Sequence, residues 1–262
     1  MPFTLSHPSA AIPFLRTRLV PSALVIGCMA PDFEYFLHSA PEGGFGHTLA
    51  GVFLFDLPAA FIALWLFHVY AKDPLYTWLP ASVQRRIRLG PPALPIRNLA
   101  QLALVLLSIL IGVATHILWD SFTHPDFWPY QHWQFLHRTV ELPVYGSMEY
   151  LRVIQHGSTV LGAVALALWF WSWFLRTAPI EPEPAPCPRE HHRAALVVIS
   201  IAALTVAVLR GLVLAEPGGP YYDTGKKELL ARAVITAMNI FWLGVVAYGA
   251  WGARARNKLG NA

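Results

Sequence analysis

The chain reads as an all-α, polytopic membrane helical bundle: about five transmembrane helices, plus a short N-terminal buried or re-entrant helix. Three observations carry that reading. Five segments approach or exceed the roughly 20 apolar residues that a helix needs to cross about 30 Å of hydrocarbon. Hydrophobic residues make up 55% of the chain and charged ones only 13%, against about 25% charged in soluble domains; mean hydropathy is +0.46. Ten Trp, nine Tyr and 15 Phe suit the aromatic belts at the two membrane–water interfaces. The net charge of +4 calls for no nucleic-acid partner, because cytoplasmic loops retain Lys and Arg.

Taken in order, residues 1–36 interrupt their apolar stretches with Pro2, Pro8, Pro13, Pro21 and Pro31 and place Arg16 and Arg18 in the middle. A secretory signal would put its charge first and then run unbroken. The apolar stretch 22–30 is too short to span, which predicts a buried or re-entrant helix. The spans follow at roughly 49–70, 99–121, 157–175, 194–214 and 229–251, the second being the cleanest. The first contains Asp56 and Pro58, and the last has Arg232 near its start. Between them, 71–98 is a basic, proline-containing loop. The whole reads as one integral membrane domain, 1–262. Residues 1–48 form an N-terminal metal-site segment, 49–175 the core with three spans, 176–193 a Pro/Glu-rich linker, and 194–262 two further spans and a basic tail. Cys28 and Cys187 stand far apart with no CxxC pairing and receive no role.

Basic residues set the expected orientation. Loop 71–98 holds Lys72, Arg85, Arg86, Arg88 and Arg97; the linker holds Arg176, Arg189 and Arg193; the tail holds Arg254, Arg256 and Lys258. These eleven outnumber the other eight and place that side, with the C-terminus, in the cytoplasm. The N-terminal segment and loop 122–156 then face outward.

The most informative residues lie at the end of the second span: His116, Asp120 and His124, spaced i, i+4, i+8. That spacing puts all three on one helix face if the helix continues through Ser121–Thr123. Imidazole and carboxylate are costly at a membrane boundary unless they pair, line a wet cavity or hold a metal. An antiparallel pair of spans brings His47, before span one, to the same membrane side, and a non-crossing N-terminal segment adds His7 and Asp32. His7, Asp32, His47, His116, Asp120 and His124 are therefore the expected metal ligands. Imidazole with carboxylate fits zinc, and also iron or manganese, while the lack of paired cysteines argues against a thiolate site. Six ligands exceed one tetrahedral ion, so one or two ions fit, with Asp32 or Asp120 as a bridge. Asp32 and the nearby Glu34 are the expected catalytic carboxylates.

The blocks MPFTLSHPSAAIPF, SALVIGCMAPDFEYF, GFGHTLAG and ATHILWDSFTHP resemble the DUF4184 family of bacterial membrane proteins, in order over residues 1–175. The likeness implies a bacterial cytoplasmic-membrane protein and carries no established activity. More distantly, Pro31-Asp32, His47 fifteen residues later and the HxxxD of His116 and Asp120 resemble the YdjM-like membrane-bound metal-dependent hydrolases. The same order is similar to zinc-dependent phospholipase C and single-strand nucleases. That resemblance implies metal ligation by Asp32, His47, His116 and Asp120, with His7 and His124 as further ligands. A second HxxxD-type pair, which the soluble enzymes have, is missing here.

Plainer readings apply elsewhere. His38, His68, His132, His137, His191 and His192 read as hydrogen-bonded interfacial histidines, and Trp119, Trp128 and Trp133 as belt residues. Asp126 reads as a turn or cap. Asp56 reads equally as a relay or as a water-facing residue. The polar stretch from Tyr145 to Ser158 reads as the cap of the third span in preference to a substrate shell. Three functions compete: a metal-dependent hydrolase, acting on a phosphoester that is lipid-linked if the site's membrane depth is a guide; a metal or proton transporter using Asp56, His68, His116 and Asp120; and a non-catalytic membrane protein with a structural metal.

Overall fold

The structure is a computed structural model and describes residues 4–143, 146–181, 189–214 and 226–260. Five helices are long and apolar enough to cross a membrane: Leu49–Trp78, Leu99–Asp120, Tyr150–Arg176, His191–Leu214 and Glu228–Arg254. Their outward faces carry exposed Leu161, Leu168, Trp171, Val198 and Leu212, side chains that water would not stabilise there and lipid would. The fold is the expected all-α bundle, consistent with a multi-pass membrane protein. Trp119, Trp128 and Trp133 are exposed. One element was not anticipated: within loop 122–156, Thr139–Leu142 (β1) pairs antiparallel with Gly146–Glu149 (β2).

The chain divides into two compact units, Met1–Phe33 with Phe45–Phe61 and Ile96–Arg176, and Glu34–Gly44 with Ile62–Pro95 and Thr177–Ala262. The first unit contains a 3-10 segment, Thr4–Phe14, and the short helix α1, Pro21–Gly27. It also contains the helices Leu99–Asp120 and Tyr150–Arg176, called here α4 and α5; Phe33–His38 is α2 and Leu49–Trp78 is α3. Helix α1 is the expected short buried helix, with Ala23 and Leu24 fully buried.

Helix α4 has a clear start. The Asn98 side chain accepts from the Gln101 amide at 2.9 Å, and the Gln101 side chain accepts from the Arg97 amide at 2.6 Å. This is a reciprocal cap, shifted by one residue from the usual capping box. Helix α1 lies against α4 through two glycines. A Cβ at Gly27 would fall 2.3 Å from the Ile109 carbonyl oxygen, and one at Gly112 would fall 2.4 Å from that of Leu24. Close backbone approach of this kind is how small residues join helices in lipid. Ser108 Oγ adds a tie by accepting from the Val20 amide at 2.9 Å. Along α5, a Cβ at Gly162 would meet Ser6 at 3.0 Å, so the N-terminal 3-10 segment runs against that helix.

Helix α4 ends at Asp120, not beyond it. The expected continuation through Ser121–Thr123 gives way to turns, because Pro125 disfavours helical backbone at His124. The first span is longer than expected and runs to Trp78 through two π-helical stretches, Val52–Asp56 and Phe67–Ala71. Each lies just upstream of a proline, Pro58 or Pro74. A proline removes one helical N–H, and a widened turn absorbs the mismatch.

In the second unit, Lys72 is therefore not in a loop. It is buried on this extended helix, and its Nζ donates to the carbonyls of Leu89 and Gly90, each at 3.1 Å, and to that of Pro91. Arg189–Leu214 (α6) and Lys226–Gly260 (α7) form the rest of this unit. Arg232, almost wholly buried, pairs with Glu228 at 2.8 Å and with Glu42, and Asn239 donates to the Phe36 carbonyl at 2.6 Å. The 34–44 segment is thus anchored to α7. His192 accepts or donates at Nδ1 to Tyr248 Oη at 2.9 Å, as an ordinary bonded histidine. Residues 182–188 of the linker, with Cys187, lie outside the described residues.

Candidate metal centre

All six expected ligands fall in the first unit. Each arrives by a different local device. His7 is buried in the 3-10 segment, and Asp32 ends a single 3-10 turn, Ala30–Asp32, started by Pro31. His47 sits in the turn before α3, whose first helical turn is capped by Thr48 Oγ1 accepting from the Gly51 amide at 3.0 Å. That turn is tight: a Cβ at Gly46 would come within 2.8 Å of both Asp56 Oδ1 and the Pro31 carbonyl. His116 and Asp120 share one face of α4, one turn apart.

Four of these residues meet. One ligand atom each from Asp32, His47, His116 and Asp120 lies within 4.8 Å of every other. His47 Nε2 and His116 Nε2 are each 3.4 Å from Asp120 Oδ2, and His116 Nε2 is 3.6 Å from Asp32 Oδ1. Ligands about 2.1 Å from a tetrahedral ion are separated by about 3.4 Å, so these spacings match the edges of a coordination tetrahedron. His7 comes in from the other side, its Nε2 3.4 Å from Asp120 Oδ1 and its ring stacked on His116 with centroids 3.8 Å apart. The two Asp120 oxygens therefore face different histidines.

The polar accounting points the same way. His7 Nε2, Asp32 Oδ1, His47 Nε2, His116 Nε2 and both Asp120 carboxylate oxygens are buried with no hydrogen-bond partner among the described residues. Six such atoms on one spot is far outside the usual tally, since buried polar groups are nearly always satisfied by protein, water or an ion. Asp32 and His116 are tied from behind. Thr4 Oγ1 donates to Asp32 Oδ2 at 2.5 Å, and His116 Nδ1 bonds the Cys28 carbonyl at 2.8 Å. A carbonyl can only accept, so His116 carries a proton on Nδ1 and turns Nε2 toward the cluster. The group Asp32, His47, His116 and Asp120 could hold a metal ion.

Protonation suits that role for His7, whose pKa is lowered to about 3 by burial and by the charge of His116. It is neutral near pH 7 and keeps a lone pair for a ligand. Burial raises the carboxyl of Asp32, and a cation beside it would offset that penalty. Burial also lowers His124.

Two expected members are held by backbone groups. His124 reaches Asp120 because the chain folds back after the helix, not by helical spacing. Its Nδ1 bonds the Asp120 carbonyl at 3.0 Å, so that nitrogen is a donor and its place is at the rim. Glu34 belongs to the second unit, where its Oε2 accepts from the Gly44 amide at 2.6 Å. Asp56 does not face water; it is fully buried against the Gly46 turn. His132 and His137 bond the carbonyls of Trp128 and Tyr130, as the plain reading had them. Ser147 lies in β2 and residues 155–158 lie inside α5, so these do not cap that helix; Tyr145 is outside the described residues. Sequence reasoning missed Thr4 and the Cys28 carbonyl. Thr4 stands in the MPFTLSHP block but at no telling spacing, and a backbone carbonyl leaves no mark in a sequence.

Neither curated proteins nor solved structures provide a match, so the distant likeness to metal-dependent hydrolases gains nothing from them. The family model of the domain of unknown function DUF4184 matches residues 1–250, which carries the likeness past the motif blocks into the last two spans. The protein belongs to the DUF4184 family.

Proposed function

We propose that this protein is a membrane-embedded, metal-dependent hydrolase of a phosphoester, with a lipid-linked substrate. The observation that carries the reading is the set of six buried ligand atoms with no hydrogen-bond partner among the described residues, three pairs of them 3.4–3.6 Å apart. Zinc suits the His/Asp donors, and iron or manganese fits them too. One ion fits the four-residue group, and Asp120 Oδ1 with His7 supplies part of a second position. When bound, the ion lowers the pKa of water and stabilises charge on the attacked ester. Asp32, His47, His116 and Asp120 hold it, while Thr4 and the Cys28 carbonyl orient Asp32 and His116. The side chains of His47 and His124, 10% and 20% exposed, mark the side from which a substrate reaches the site. Its place at the end of a span favours a substrate anchored in the bilayer.

A second reading has its own support: four protein ligands around one ion are what a structural zinc site uses, and four residues of this cluster could hold one. Elemental analysis of detergent-purified protein, followed by chelation and re-addition of zinc or manganese, separates the two. The hydrolase should contain one or two ions per chain, lose cleavage of a phosphatidic acid or chromogenic phosphodiester substrate on chelation, and regain it. Bound metal with no turnover, and a lower melting temperature after chelation, would leave only the structural role. No bound metal would end both.

The site is assigned to the extracytoplasmic side of the bacterial cytoplasmic membrane, with the C-terminus inside, on the basic-residue count. In a Cys187→Ser background, an impermeant thiol reagent applied to intact cells should label Gln134→Cys and spare Arg85→Cys; buried Cys28 should stay silent. The opposite pattern would reverse the orientation.

A further inference from the structure

Helix α5 carries a buried polar group that the metal cluster does not account for. Gln155 is 2% exposed. Its Oε1 accepts from Arg152 Nη1 at 2.9 Å, and because Arg has only donors, this contact assigns the oxygen and leaves Nε2 as the opposite end of the amide. Nε2 is buried with no hydrogen-bond partner among the described residues. A buried amide donor without an acceptor is unfavourable, and keeping one argues for an acceptor that arrives with a ligand.

Its position follows from the register of α5 against the N-terminal segment. Gln155, Thr159 and Gly162 are spaced i, i+4, i+7 and share one face. Ser6 Oγ donates to the Thr159 carbonyl at 3.0 Å, and a Cβ at Gly162 would meet Ser6 and Ser9. The segment therefore runs alongside the helix in the same direction. The turn carrying Gln155 comes before Thr159, and by this register it leads toward the end of the segment that holds Thr4, whose Oγ1 donates to Asp32.

We propose that Gln155, oriented by Arg152, is the anion subsite of the metal centre and donates through Nε2 to a non-bridging oxygen of the substrate's phosphoryl group. The inference rests on the metal-dependent reading above and adds to it a specificity-determining residue outside the ligand set. Arg152 is exposed at the start of α5 and contributes positive charge as well as orientation. An amide donor beside a guanidinium favours the charged oxygen of a phosphate over a neutral ester carbonyl, because charge-assisted hydrogen bonds are the stronger ones. An anion near Asp32 and Asp120 also needs the ion's charge, so binding at this subsite requires metal.

The test is titration of metal-loaded protein in a non-ionic maltoside detergent with inorganic phosphate, and in nanodiscs with phosphatidic acid against phosphatidylcholine. Gln155→Glu keeps the size and replaces the donor with a carboxylate; it should weaken phosphoryl binding at least tenfold while metal content by elemental analysis stays at the wild-type value. Gln155→Leu should do the same, and Arg152→Met should weaken binding severalfold by releasing the amide. Gln134→Glu, which adds the same charge to the exposed loop, should change nothing. Weakening seen with inorganic phosphate makes the phosphoryl group alone sufficient, and weakening confined to phosphatidic acid makes the lipid headgroup the source; both support the subsite. Unchanged binding in Gln155→Glu and Gln155→Leu overturns it and leaves the metal centre standing, as does loss of metal in both variants, which would make Gln155 a support for the ligands. Wild-type protein without metal overturns the centre and the subsite together.

Discussion

Asp120→Ala should strip the protein of its metal. Asp120 is fully buried, and its two oxygens stand 3.4–3.5 Å from nitrogens of His7, His47, His116 and His124. It contacts every histidine of the cluster. An alanine methyl cannot replace a ligating carboxylate, and the change removes one of the two carboxylates of the four-residue group. The loss should exceed the roughly 10–100-fold fall in affinity typical of changes outside the ligand shell, so elemental analysis should find metal near zero. Phosphoester cleavage should fall with it. His132→Ala is the matched control: His132 is exposed and bonds only the Trp128 carbonyl at 2.9 Å, so metal content should stay at the wild-type value. Full metal occupancy in a folded Asp120→Ala protein would refute the centre.

Gly112→Leu should weaken both the fold and the site. A Cβ at Gly112 would lie 2.4 Å from the Leu24 carbonyl oxygen and 2.7 Å from the Cys28 amide nitrogen. Both neighbours are backbone, so α1 must move as a body. Overpacking of this kind costs about 1–3 kcal/mol, seen as a lower melting temperature in detergent. Gly112 is also one turn before His116, whose Nδ1 bond to the Cys28 carbonyl spans the same crossing. Displacing α1 breaks that bond, frees the ring to change tautomer and lowers metal affinity by about 10–100-fold. Gly157→Ala provides the contrast. It sits in α5 with nothing within 4 Å of its Cβ position, and should be neutral or stabilising by about 1 kcal/mol from helix propensity. Equal melting temperatures for Gly112→Leu and wild type would defeat the close-crossing argument.

The helices were legible because hydropathy is a local, additive property: twenty apolar residues cross a bilayer whatever surrounds them. The same logic found the ligands. His116 and Asp120 are one helical turn apart, and an even number of spans between two residues returns them to one membrane side. That brought His47 and His116 to the same level before any contact was known. Boundaries were less legible. The first span was expected to stop near residue 70 because Lys72 and the prolines resemble a loop, yet a buried lysine that meets three carbonyls can remain in a helix.

Composition and spacing by themselves determined the membrane bundle and nominated its polar side chains. Tertiary structure alone decided how those side chains divide. His124 was chosen for a helical period that Pro125 disfavours, and its Nδ1 bonds the Asp120 carbonyl at 3.0 Å while standing 3.5 Å from Asp120 Oδ2 at the cluster's rim. Asp56, balanced between water and relay, proved fully buried at the Gly46 turn. Thr4, the Cys28 carbonyl and Gln155 acquired their places from how α1 and the N-terminal segment pack on α4 and α5. The physical reason is range: hydropathy and helical period act over a few residues of chain, whereas a coordination shell is set by contacts between residues 28 and 88 positions apart. Packing between glycines and serines positions those contacts, and such residues leave no distinctive trace in the sequence.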